Sequence, residues 1–128
     1  MQGWATPDPR PHAGTATVHE LQDVAIISLI GDHDLSTKPD LVDRLAKLRN
    51  QPRVVIDLQR CTFVDSTIVG TILAACRADA PRGPTVSIVL PDDTSYVYRA
   101  LSVLGLGDLV PTHPSVASAL GVPPPLSE

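Results

Sequence analysis

Aromatic residues are nearly absent from this sequence: one Trp, one Phe and two Tyr in 128 positions. Any core must therefore be filled by branched aliphatic side chains. Cysteines number two, Cys61 and Cys76, without the close spacing of a metal knuckle. That excludes a disulfide scaffold and suits a reducing cytoplasm. No basic excess exists either: 10 Lys and Arg stand against 14 Asp and Glu, a formal charge of −4. A chain of this sign offers no stripe to meet phosphates, so direct nucleic-acid binding is not expected. The apolar runs at 24–30 and 68–76 fall far short of the roughly 20 residues that a bilayer-spanning helix needs. The first residues lack a basic region followed by an apolar stretch, so neither secretion nor membrane insertion is expected.

What is present fits one domain with a self-sufficient core. Residues 1–14 carry Pro7, Pro9 and Pro11 with few apolar partners and read as a disordered leader. Residues 122–128, with Pro123, Pro124 and Pro125, read as a matching tail, which leaves 15–121 as the domain. Six of the thirteen prolines thus lie outside the expected fold.

Thr15 to Leu21 alternates weakly and Val24 to Ile30 is almost continuously apolar, which predicts an antiparallel hairpin with the second strand central. Gly31 to Thr37 reads as a polar loop, with Ser36 or Thr37 capping a helix whose stripe is Leu41, Val42, Leu45 and Leu48. Val54 to Leu58 has the β-branched character of a strand buried on both faces. A six-residue loop follows. Asp65 and Ser66 then precede Ile68, Val69, Ile72 and Leu73, a helical face with cap residues ahead of it. Val86 to Leu90 repeats the buried-strand pattern. A helix with Val97, Ala100, Leu101 and Leu104 inward follows it, closed by Gly105. A short strand near Leu109–Val110 and a helix from Ser115 to Leu120 complete the order β-β-α-β-α-β-α-β-α. The expected fold is α/β, a mixed sheet of four to five strands flanked by about four helices.

The chemistry concentrates on the central strand and its helix. Ser66 lies at a helix start beyond a strand's carboxyl end, where open α/β sheets bind ligands and partners. Chemistry alone reads Ser66 first as a helix cap, and Asp65 as a cap or a loop brace. Asp32-His33-Asp34 lacks a further ligand cluster and reads as a solvated turn rather than a metal site. His12, His19 and His113 are scattered and support no catalytic arrangement. Asp92 and Asp93 read as caps, and Arg99 as a solvated helix residue. No G-x-S-x-G elbow surrounds Ser66, which argues against a serine nucleophile and against an enzyme. No cofactor is expected. The two cysteines are expected near opposite ends of the Ser66 helix, with Cys61 open to reagents.

Several segments together resemble the STAS domain, and within it the bacterial anti-sigma-factor antagonists. They are Gly31-Asp32-His33-Asp34, Val55-Ile56-Asp57-Leu58, Phe63-Val64-Asp65-Ser66-Thr67, and Val97-Tyr98-Arg99-Ala100-Leu101 followed by Leu104-Gly105-Leu106. The resemblance covers about residues 15–120. It implies a non-enzymatic regulator that binds an anti-sigma factor and frees a sigma factor for transcription. The partner implied is a GHKL-type serine kinase fold, with Ser66 the phosphorylated residue and the antagonist a monomer when free. Asp32, Asp34, Asp65, Ser66 and Thr67 are the partner-binding residues implied, and Thr67 is a second hydroxyl beside the first. Ile68 stands where the family pattern has glycine, and a branched side chain there is expected to crowd a kinase closing over Ser66. A different expectation is a STAS subunit of a lipid-transport ABC system, docked on a nucleotide-binding subunit.

Overall fold

The structure is a computed structural model, and it describes residues 14–77 and 85–122. The expected leader and tail lie outside the described residues, apart from Gly14 and Val122. Strands β1 (Thr15–Glu20) and β2 (Val24–His33) pair antiparallel, with Thr15 opposite Ile30. Helix α1 (Lys38–Lys47) leads to β3 (Arg53–Asp57), which pairs parallel to β2. Strand β4 (Cys61–Val64) and helix α2 (Ser66–Cys76) follow, then β5 (Thr85–Val89), α3 (Tyr96–Val103), β6 (Thr112–His113) and α4 (Val116–Ala119). The sheet is mixed and runs β1-β2-β3-β5-β6, with β4 beside β2.

Strand β4 replaces the six-residue loop expected after Leu58 and brings the sheet to six strands. β3 leaves β2 at the Ser28–Asp57 pair, and β4 resumes parallel pairing at Gly31–Cys61. Gly31 makes the change of partner possible. The register shifts between Gly31 and Asp32, and Gly31 has φ +84°, a conformation that costs a side-chain-bearing residue about 1–2 kcal/mol. Gly31, Asp32 and His33 are therefore strand residues, not the start of a loop. His33 is 1 % exposed. Its Nε2 lies 3.1 Å from the Thr15 carbonyl oxygen and its Nδ1 3.0 Å from Thr37 Oγ1. A carbonyl only accepts, so Nε2 carries a proton towards Thr15, while Nδ1 pairs with a Thr37 hydroxyl that also lies within donating distance, 3.1 Å, of the Asp34 carbonyl. Of the solvated turn expected at 32–34, His33 is instead a buried tie between β1, β2 and the loop before α1, while Asp32 and Asp34 beside it stay partly exposed.

Alternation along β3 divides the core. Val54, Ile56 and Leu58 join Leu41, Leu48, Ile68, Ile72, Val97 and Leu101 on the face covered by α1, α2 and α3. Val55 faces the other way, with Val24, Val89 and Ala119 beneath the four-residue α4. Two positions expected inward lie outward: Val42 and Leu104 are exposed. Leu104 follows the last turn of α3, where Gly105 in left-handed geometry (φ +76°) turns the chain into a 3-10 turn at Leu106–Asp108. Leu106 takes the core place instead. The strand expected at Leu109–Val110 lies at Thr112–His113, past that turn and Pro111.

Candidate functional site

Parallel strands β2 and β4 end side by side, with His33 opposite Val64, and both chains then turn into helices. Asp65 is the N-cap of α2. Its Oδ1 accepts from the Ile68 amide at 3.0 Å and from the Thr67 hydroxyl at 2.6 Å. Its Oδ2 accepts from the Leu35 amide at 3.0 Å, and its own amide donates to the His33 carbonyl at 3.2 Å. One carboxylate thereby fastens the loop before α1 to the start of α2. These donors, the Thr67 hydroxyl foremost, hold the Asp65 carboxyl below its ordinary value of 3.8.

Ser66 occupies the first helical position and is exposed, while the cap bonds belong to Asp65. Its hydroxyl is thus not the cap that its residue type suggested. Thr67 is half-buried and its proton goes to Asp65, so the neighbouring hydroxyl serves the brace. Ile68 points inward and is 0 % exposed. The branched side chain that was expected to crowd a kinase closing over Ser66 is part of the core.

Two further acidic residues of this end of the sheet, Asp32 and Asp34, lie on β2 and on the loop that follows it. Asp34 Oδ1 accepts from the Ser36 amide at 2.9 Å and the Ser36 hydroxyl at 2.6 Å, which shapes the loop before α1. Asp32 Oδ1 accepts from Thr62 Oγ1 at 2.5 Å across the β2–β4 pair. Loop bracing through Leu35 unites Asp34 with Asp65, and strand register sets Asp32 opposite Phe63. Among the described residues no three His, Cys, Asp or Glu side chains form a group able to hold a metal. Cys61, expected to be accessible, is 3 % exposed, and burial raises its thiol to about 11. Burial raises Cys76 to about 11 as well. Both thiols are free, and at neutral pH neither is a thiolate nucleophile.

Two features escaped the sequence reading. Phe63 on β4 is 38 % exposed and Tyr96, at the start of α3, is 49 % exposed. Their rings stack at 11° with centroids 5.4 Å apart. Leu35, whose amide Asp65 holds, is also exposed. The scarcity of aromatics was the available signal, since an aliphatic core leaves each ring free for other work.

Comparison with known proteins agrees with this architecture. The family model described as "Mlab, STAS domain" matches residues 16–111. An anti-sigma factor antagonist from Mycobacterium paratuberculosis superposes with a TM-score of 0.77 at 23 % identity, covering 87 % of this chain and 94 % of that one. Unphosphorylated SpoIIAA, an anti-sigma factor antagonist, gives 0.64 at 16 % identity, with coverage of 83 % and 94 %. The phosphorylated form of SpoIIAA, a Bacillus cell fate determinant, gives 0.64 at 18 %, with 84 % and 97 %. At such identities the likeness is one of fold. No curated protein matches the chain in sequence. With the family model running from the first strand almost to the last, the chain belongs to the STAS domain family.

Proposed function

We propose that the protein is an anti-sigma factor antagonist, a binding module without catalysis that occupies an anti-sigma factor and so frees its sigma factor. The partner is a GHKL-type serine kinase fold, the contact surface is built on Asp32, Asp34, Asp65, Ser66 and Thr67, and Ser66 is the phosphorylated residue. The observation that carries this reading is the division of labour at α2. Asp65 makes the cap, which leaves an exposed hydroxyl on the first helical turn. A phosphoryl group there brings nearly two negative charges close to three carboxylates. Burying that charge against a surface shaped for a neutral hydroxyl costs several kcal/mol, on the order of the penalty for an unpaired charge. Phosphorylation therefore releases the partner. Ile68, packed in the core, leaves a kinase free to reach Ser66.

The test is incubation of the protein with a GHKL-type anti-sigma factor and ATP, followed by calorimetry of the wild type and Ser66→Glu. Wild type is expected to bind, to receive phosphate on Ser66 and to lose binding when Glu replaces it. Unchanged affinity of Ser66→Glu would refute the switch, and absence of any complex would refute the antagonist reading. The description of the matched family model favours a second reading, a STAS subunit docked on the nucleotide-binding subunit of a lipid-transport system. Recovery of such a transporter complex with the tagged chain, in place of a kinase-fold partner, would select it.

A further inference from the structure

We infer that the stacked Phe63–Tyr96 pair is the anchor of the docking surface, and that the partner meets it with one arginine, whose charge the fixed carboxylates around the pair already balance. The inference rests on the antagonist reading above and gives its interface a centre and a chemistry.

Placement comes first. Phe63 precedes Ser66 by three residues, so their Cα atoms are separated by at most about 11 Å. Tyr96 lies against Phe63, with 5.4 Å between ring centroids. The pair therefore lies at the same end of the sheet as the exposed hydroxyl, three residues from it along the chain. Stacking uses one face of each ring. Tyr96 is 49 % exposed beside the stack, which leaves part of it open to a visitor. Both rings are held: Phe63 by strand pairing with Asp32, Tyr96 by a helix whose cap Ser95 accepts from the Tyr98 amide at 3.0 Å. An aromatic surface already ordered loses little conformational freedom when a partner covers it.

Charge then selects the visitor. The three segments around the pair, 31–37, 59–66 and 90–99, carry Asp32, Asp34, Asp65, Asp92 and Asp93 against Arg60 and Arg99. Hydrogen bonds fix the carboxylates: Asp32 is held by Thr62, Asp65 by three donors, and Asp92 by the amide and hydroxyl of Thr94. An apolar partner surface would leave these charges facing hydrocarbon. A lysine would answer the charge but not the plane of the ring. A guanidinium does both, stacking on an aromatic face while its N–H groups reach carboxylates. Val103 and Leu104, exposed at the far end of α3, have one acid, Asp108, in residues 100–110.

The experiment is calorimetry of the full-length chain with a purified GHKL-type anti-sigma factor, at low and at high salt. Tyr96→Ala should weaken binding about tenfold or more, as loss of an aromatic anchor does, and Tyr96→Phe should stay within about threefold of wild type. Asp32→Asn should flatten the salt dependence, and Val103→Ser should leave binding unchanged. Tyr96 is largely outside the core, so circular dichroism of Tyr96→Ala should report an intact fold. Wild-type binding with Tyr96→Ala inside about twofold overturns the anchor and leaves the antagonist reading standing. Failure of the wild type to bind overturns both. An equal loss in Val103→Ser overturns the localisation of the contact.

Discussion

Asp65 and Ile68 show how much a single position settles at this site. Asp65 accepts from an amide and a hydroxyl of its own helix and from an amide of a distant loop. Replacing a cap of this type by alanine costs about 1–2 kcal/mol at neutral pH. Its pH dependence has a definite sign. The folded-state carboxyl is held below its ordinary value of 3.8, so the folded chain favours the ionised form. The associated stability is complete above the unfolded value and disappears as pH falls through the folded one. Urea unfolding of wild type and Asp65→Ala should therefore differ most near neutrality and converge in acid. Ile68 stands where the family pattern carries glycine, and its side chain is wholly buried. Ile68→Gly removes a core side chain and loosens the helix, a loss of about 3–6 kcal/mol in urea unfolding. If the residue faced outward, that change would cost only about 1 kcal/mol.

At the level of elements, the two faces of the sheet are unequally covered. Among the described residues three helices pack on one face, whereas the other is covered by the four residues of α4, next to the two-residue edge strand β6. Side-chain ties reinforce that edge: Arg53 Nη2 donates to the Ala119 carbonyl at 2.8 Å, and Gln59 Nε2 to the Pro114 carbonyl at 3.1 Å. Few apolar contacts make for low local opening energy. Amides of Thr112–Leu120 should exchange with deuterium well before those of Ile26–Leu29 in the centre of the sheet. Equal protection in the two segments would contradict this. The same contrast explains what the sequence revealed. Val24–Ile30, Val54–Leu58 and Val86–Leu90 were legible because two buried faces demand runs that are apolar at all but one position, here Ser28, Asp57 and Ser87. Strand β4 was not, since Thr62 and Phe63 are exposed and its pairing depends on a bulge at Gly31 that no local pattern encodes. His33 misled for a related reason. Its neighbours Asp32 and Asp34 are polar, and only the tertiary fold delivers the Thr15 carbonyl to its ring. At the site, Asp65 and Ser66 were visible as helix-start residues, but which of them does the capping is decided by the approach of Leu35.

For the molecule as a whole, the proposed contact surface and the core share few residues, and Asp65 and Thr67 serve both the fold and that surface. Among the described residues the hydrophobic core is aliphatic apart from Cys61, while Phe63 and Tyr96 stay at the surface with Ser66. A surface variant such as Ser66→Glu should therefore leave stability within about 0.5 kcal/mol of wild type. Its melting curve and its affinity for an anti-sigma factor should part company, the first unmoved and the second lost. A parallel fall in both would mean that position 66 supports the fold after all. One further consequence follows from the carboxylate that caps α2. Because that group already clasps the helix to the neighbouring loop, a phosphoryl group on the adjacent oxygen finds no latch to open and no spring to release. The modified and unmodified chains should share one backbone, differing in electric potential rather than in shape. Reversal then requires only hydrolysis of a single ester, with no conformational recovery to wait for.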